Sequence, residues 1–505
     1  MPNYTTRSRL GFILGPVLFL IAYLLPTPEG LSPEGHAVGA IAILMAVWWV
    51  TEALPIAAVA FVPISLFPLL GVMPTGAVTA QYGNQIIYLF IGGFFIAITM
   101  ERWNLHRRIA LNIIRLVGTA PARIILGFMI ASGLLSMFVS NTATAMMMVP
   151  IGLAVIKQAI DLVKQNQIQD IDTRPEHFHF AIALMLGIAY ACSIGGVATI
   201  LGTPPNAVFV GTVETLFNQQ ISYALWMAYG VPMAIIMLVL CWIYLVKFAF
   251  PLRLKELPGG EAFIREELSK LGRITREEIM ISVVFALVAA LWIVRGFTDF
   301  GNFNDAAIAI TGSLALFMLP SNYAKGAFLL DWKTAVKIPW GIVVLFGGGL
   351  ALAHGFSQTG LAAWIANALL FLSGYNLIIL IFAVALLTIL LTEVTSNTAT
   401  ATMMMPILGS MALAMSVHPY GLMIAATIAA SFAFMLPVAT PPNAVVFGSS
   451  FVTIPQMARA GLWLNIIGVI VIVLLTYFLL PLIWDIDLSV LPEWLEAVES
   501  AAGNP

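Results

Sequence analysis

Charge is what this chain has least of. Asp, Glu, Lys and Arg together make up 9% of its 505 residues, where a soluble domain carries roughly a quarter. So little charge leaves no surface to show water, and 61% of the residues are hydrophobic. At about 20 apolar residues per crossing, this length holds on the order of ten membrane helices. The net charge is −2 and no long basic tract occurs, so no electrostatic reason exists to expect nucleic acid as a partner. Cysteine is equally scarce. Cys192 and Cys241 are too few for a disulfide framework, lack metal-ligand spacing, and read as apolar filler. No Asp-rich intramembrane motif is present of the kind a magnesium-dependent lipid-phosphate transferase would need. The first apolar run follows Arg7 and Arg9 without a small-residue cleavage site, so it reads as a retained helix rather than a signal peptide.

What the chain does have is duplication. Ser140-Asn141-Thr142-Ala143-Thr144-Ala145 returns 256 residues later at Ser396-Asn397-Thr398-Ala399-Thr400-Ala401, and extending both copies to Ile151 and Ile407 gives 10 identities in 12 positions. Thr203-Pro204-Pro205-Asn206-Ala207-Val208 likewise recurs as Thr440-Pro441-Pro442-Asn443-Ala444-Val445. Small, uncharged, oxygen-rich motifs repeated inside an apolar chain point to an internally duplicated transporter with its site at the repeat interface. A glycine pattern shares the 256 offset, Leu89-Phe90-Ile91-Gly92-Gly93 against Leu345-Phe346-Gly347-Gly348-Gly349, and reads as close helix approach or a helix break.

Basic residues mark the cytoplasmic side. From Arg7 and Arg9 the chain is expected to cross at about 10–26, 36–55, 56–71 and 86–101, reaching a cluster of Arg102, Arg107, Arg108, Arg115 and Arg123. The stretch 105–118 suits a helix lying along that interface. The next apolar stretch, about 121–156, has Arg115/Arg123 before it and Lys157/Lys164 after it. Both flanks are cytoplasmic, which predicts a re-entrant hairpin with Ser140-Asn141-Thr142 at its tip. No Lys or Arg lies between Lys337 and Arg459, so the second hairpin, about 377–414, is expected to open outside. One motif in opposite sidedness is the mark of an inverted-topology repeat. Crossings at about 178–215, 221–249, 279–298, 305–320, 338–358, 421–454 and 461–482 complete an all-α polytopic fold of eleven crossings plus two hairpins. The charged segment 251–278, Arg253 to Glu278 among it, reads as a solvated cytoplasmic linker between a first repeat, 10–250, and a second, 279–482. The tail 483–505 carries Asp485, Asp487, Glu493, Glu496 and Glu499 with no basic residue, and is expected outside.

Irregular backbone survives in a bilayer only where it lines a cavity or finds partners. Each Thr-Pro-Pro-Asn falls within an apolar run, 178–215 or 421–454, and its tandem prolines remove two amide donors. The break frees carbonyls on one half-helix and amides on the other. Carbonyls, hydroxyls and an Asn amide oxygen are hard neutral ligands for sodium, and half-helix amides attract carboxylates. No Arg or Lys lies near either motif, so a dianion would be held without fixed cations. Ser136 and Thr392 also share the 256 offset, one helical turn before each motif. Glu52 and Glu393 are acids in apolar surroundings, either structurally paired or functional. His354 reads as a satisfied core histidine in preference to a proton relay, and Met146–Met148 and Met403–Met405 as adaptable packing.

With Trp48-Trp49-Val50-Thr51-Glu52-Ala53-Leu54-Pro55 added to these duplicated motifs, the chain resembles the divalent anion/sodium symporter family over about 10–482. The resemblance implies a homodimer in a lipid bilayer, the plasma membrane of a bacterium, with scaffold and transport domains in an elevator-type motion. It implies sodium-coupled uptake of a dicarboxylate or other divalent anion, contacted by Ser140, Asn141, Thr142, Asn397 and Thr398, with Thr203 and Pro441 as further candidates. One sodium ion would be held by Ser136, Ser140, Asn141 and the Gly202 carbonyl, the other by Thr392, Ser396, Asn397 and the Ala439 carbonyl. Sodium is expected to bind first and order the tips. Sodium-independent exchangers look similar in fold, which leaves a dicarboxylate antiporter as the alternative. A passive channel suits paired hairpins less well than alternating access does.

Overall fold

The computed structural model describes residues 5–118, 120–165, 171–252, 260–298, 301, 303–372 and 374–495. Arg253, Lys255 and Glu256 of the linker, and Glu496 and Glu499 of the tail, lie outside them. Apart from a two-stranded ribbon of Pro320–Asn322 with Ala327–Phe328, the regular structure among the described residues is helical. Nine of these helices are long and apolar enough to span a bilayer. Eight overlap expected crossings, and the ninth, Asn141–Gln165, overlaps the second arm of the first candidate hairpin and runs past its expected end. The stretches expected to cross at 56–71, 305–320 and 421–454 contain only shorter apolar helices.

Helix starts are set by side chains that satisfy the first free amides. Ser32 Oγ accepts from Gly35 N at 2.9 Å, and Thr275/Glu278 and Thr453/Gln456 form reciprocal capping boxes. Two long helices end in π turns: Tyr223–Ile243 runs into Tyr244–Ala249, and Ile454–Leu474 into Leu475–Leu479.

The glycine pattern is resolved in favour of close approach. Both helices that carry it, Gln85–Arg102 and Trp340–Gln358, run unbroken. A Cβ on Gly92 would stand 2.7 Å from the Ala309 carbonyl carbon, and one on Gly348 2.5 Å from the Ala60 carbonyl oxygen. The buried apolar residues form two cores. The smaller joins Val38, Met45, Trp49, Phe67 and Val78 to Leu345, Leu352 and Phe356, and the larger holds most of the remaining helices.

The amphipathic helix Leu105–Val117 meets the linker through ion pairs, so the linker is more than a solvated connector. Arg107 pairs with Glu267 at 2.8 Å and Arg108 with Glu278 at 2.8 Å. Glu267 lies on the linker helix Gly260–Lys270. A hydrogen bond from Lys270, with help from Arg107, holds the Glu267 carboxyl below the ordinary glutamate range.

Candidate functional site

Each duplicated serine motif sits where two helices meet head to tail. Pro121–Ser136 is followed by a short turn and Asn141–Gln165, and Leu377–Thr392 by a short turn and Asn397–Ala414. Ser140 caps its second helix, accepting from Ala143 N at 3.2 Å, whereas Ser396 makes no such side-chain bond.

The proline motifs do their work in a way the sequence did not reveal. Pro204 and Pro441 stand at the start of the half-helices Pro204–Phe217 and Pro441–Phe447, where a missing N–H costs nothing. The unwinding lies upstream, in 197–203 after the helix His179–Gly196 and in 430–440 after Pro419–Ala429. The Asn of each motif holds the unwound turn in shape. Asn206 Nδ2 donates to the carbonyls of Thr199 at 2.7 Å, Val197 at 3.2 Å and Gly196 at 3.3 Å. Asn443 Nδ2 donates to those of Ala433 and Leu436, each at 3.0 Å. Both Oδ1 atoms are buried without a hydrogen-bond partner.

The second break has an extra support. Glu393 accepts hydrogen bonds from the amides of Phe434 (2.8 Å), Met435 (2.9 Å) and Leu436 (3.2 Å) and from Asn465 Nδ2 (2.7 Å). Four donors on one carboxylate satisfy an ionised group in an apolar place. The paired reading of this acid therefore holds, and its partners are mostly main-chain amides. Cross-links between halves complete the frame: Tyr190 Oη donates to the Phe434 carbonyl at 2.8 Å, and the Thr203 and Ser431 hydroxyls lie 3.3 Å apart.

These turns and breaks enclose a cavity of about 410 Å³. It is lined by Ser140, Asn141, Thr142, Gly202 and Thr203 from the first half, by Ser396, Asn397, Thr398, Ala439 and Pro441 from the second, and by Phe90, Phe94, Ile342 and Glu52 among others. Ten of the twelve residues singled out from the sequence thus share one cavity. The other two stand behind it. Ser136 Oγ donates to Asn141 Oδ1, and Thr392 Oγ1 lies 2.8 Å from both Asn397 Oδ1 and the Ala430 carbonyl. His354 does not line the cavity, and Met148 and Met405 are fully buried packing.

The donor set suits a small hard cation. Thr392 has a single hydroxyl proton for two acceptors, so three oxygens converge there with one hydrogen among them. In the first half, a Cβ placed on Gly196 would stand 2.9 Å from the Gly202 carbonyl oxygen and 3.0 Å from Asn141 Oδ1. The space is open because residue 196 is glycine. Ala433 stands at the matching position of the other half by the 237-residue offset of the proline motifs, so the two places are related but not identical.

Among the described residues Glu52 supplies the one charged side chain in the cavity lining, and no Lys or Arg joins it. It ends the helix Pro33–Thr51 in the left-handed region at φ 50°, a conformation rare for a non-glycine residue. No hydrogen bond or ion pair ties its carboxylate to a described residue, so structural pairing does not account for it.

The sodium:sulfate symporter transmembrane region matches this sequence over residues 8–484. The chain belongs to that family. It is 47% identical over 494 residues to the sodium-dependent dicarboxylate transporter SdcS of Staphylococcus saprophyticus, covering 96% of this chain and 94% of that protein. It is 46% identical over 492 residues, with the same shares, to SdcS of Staphylococcus aureus strain MRSA252. Among solved structures, the YdaH transporter of Alcanivorax borkumensis superposes with a TM-score of 0.55 at 12% identity, covering 86% of this chain and 97% of that one. MtrF of Neisseria gonorrhoeae does so with a TM-score of 0.55 at 12% identity, covering 94% of each. At such identity the likeness concerns fold alone. This family member is accordingly an integral membrane transporter and not an enzyme.

Proposed function

We propose that this family member takes up a C4-dicarboxylate such as succinate or malate together with sodium ions. One observation carries the reading: among the described residues, the cavity lined by both copies of both polar motifs has no basic side chain and one carboxylate. A dianion brought there unaccompanied is strongly disfavoured, because a buried charge must be paired. Co-bound cations on neutral oxygens supply the missing charge, and sodium-dependent dicarboxylate transport by the relatives agrees. One ion is assigned to Ser136, Ser140, Asn141 and the Gly202 carbonyl, the other to Thr392, Ser396, Asn397 and the Ala439 carbonyl. The substrate carboxylates are assigned to Ser140, Asn141, Thr142, Thr203, Asn397, Thr398 and Pro441.

In this reading the two helix pairs are re-entrant hairpins, open inside at 121–156 and outside at 377–414, in inverted repeats 10–250 and 279–482. The N-terminus is cytoplasmic and the tail outside. Sodium binds first and orders the tips; the dianion follows, and the loaded carrier changes access by an elevator-type motion within a homodimer. The sodium-loaded carrier without substrate moves poorly, because a ligand shifts a conformational balance only through differential affinity.

Radiolabelled succinate uptake into proteoliposomes tests the scheme. Accumulation is expected only with an inward sodium gradient, and Asn141→Ala is expected to abolish it. Uptake indifferent to sodium but dependent on internal dicarboxylate would make the protein an exchanger and overturn the ion assignments.

A further inference from the structure

A second cavity, of about 510 Å³, lies away from the transport site, between the π turn Tyr244–Ala249 and the first half of the helix Ile454–Leu474. Tyr244, Phe248 and Phe250 line it from one side, and Gln456, Arg459 and Trp463 from the other. The last three repeat at helical spacing, so one stripe of the helix faces the cavity. Two of its aromatic walls are open to the surroundings: Phe248 is 72% exposed and Trp463 53%.

Arg459 makes this cavity unusual. It is the single Lys or Arg after Lys337. It sits on the second turn of a helix long and apolar enough to span the bilayer, is exposed, and forms no hydrogen bond or ion pair with any described residue. A guanidinium in such a helix needs an anion or a route to the interface. Among the described residues no carboxylate lines the cavity. What they offer there is one cation, the side chain of Tyr244 and an exposed aromatic surface, the Gln456 amide being already engaged by the Thr453 N–H and the Glu176 carbonyl. Phosphate and guanidinium match in geometry and charge, and aromatic side chains favour the headgroup level.

We infer that this cavity is a binding site for one anionic glycerophospholipid, its phosphate on Arg459 and an acyl chain along Phe248 and Trp463. The π turn widens the helix where the lipid enters. The headgroup belongs to the cytoplasmic leaflet, since Lys247 and Arg459 mark that side.

Purified protein, delipidated and titrated with phosphatidylglycerol or phosphatidylcholine, is examined by native mass spectrometry. One phosphatidylglycerol is expected to remain bound in preference to phosphatidylcholine. Arg459→Gln is expected to weaken it about tenfold, the scale of one lost charged hydrogen bond, while Arg459→Lys keeps most of the binding and shows that the site still folds. Equal retention of both lipids, or undiminished retention in Arg459→Gln, overturns the inference. So does a disulfide between protomers through Trp463→Cys in lipid-free protein, because a second copy of the chain would then be covering the cavity.

Discussion

Gly196 and Glu393 show how single positions govern the two halves of the candidate site. The missing side chain of Gly196 leaves room between the Gly202 carbonyl and Asn141 Oδ1. Gly196→Ala pushes a methyl within 3.0 Å of both, closer than carbon and oxygen tolerate. The expected outcome is a several-fold rise in the sodium concentration for half-maximal uptake, accompanied by a modest loss of thermal stability because the nearer atom is main-chain; unaltered sodium dependence would remove the first ion from this place. Glu393 is the opposite case, a charged group whose four donors are already committed. Glu393→Gln replaces one acceptor oxygen with an amide NH2 group: three donors can keep the remaining oxygen, and the new NH2 then faces the Leu436 N–H. It is expected to destabilise the fold by about 2–3 kcal/mol, as when a buried donor loses its partner, read as a lower melting temperature in detergent. Sequence alone made Glu393 a buried acid with an unknown partner. Its donors are three main-chain amides of a turn some forty residues on and the side chain of Asn465, and no spacing rule links them.

At the scale of the element, the broken helices were legible because proline and asparagine recur together inside apolar runs. Where the chain unwinds was not legible. Proline is tolerated in a helix's first turn, so it marks the beginning of the second half-helix, and the irregular backbone precedes it. The lengths of the two breaks also differ, 197–203 against 430–440, although the motifs that follow are near copies. The linker helix was hidden among charges, which read equally well as solvated loop. Its docking through Arg107 and Glu267 has a consequence for acid stability. The Glu267 carboxyl is held below its ordinary range, so it stabilises the fold fully above about pH 4–5 and loses that contribution as pH falls through the depressed value. Melting temperature against pH is expected to drop more steeply below pH 4–5 in the native protein than in Glu267→Gln.

Across the whole molecule, sequence symmetry was the strongest guide. Ten of the twelve candidate residues line one cavity, because the fold brings both copies of both duplicated motifs to it. The proposed inversion makes a direct prediction. Asp161→Cys places an exposed thiol in the last turns of the second helix of the first pair and Ser416→Cys one just past that of the second pair, while native Cys192 and Cys241 are buried. In sealed right-side-out vesicles, an impermeant maleimide is expected to label position 416 and spare position 161 until the vesicles are opened. Labelling of both from one side would rule out opposed hairpins. The bonds that join the two breaks, Tyr190 to the Phe434 carbonyl and Thr203 beside Ser431, carry a further implication. The two proposed sodium sites share one framework and on that scheme do not fill independently: whichever is occupied first stills part of the other's backbone, and the later ion then loses less disorder on arrival. Sodium dependence of uptake should therefore rise more sharply than a simple hyperbola, and cutting the shared strut with Tyr190→Phe should flatten the curve before it lowers the plateau.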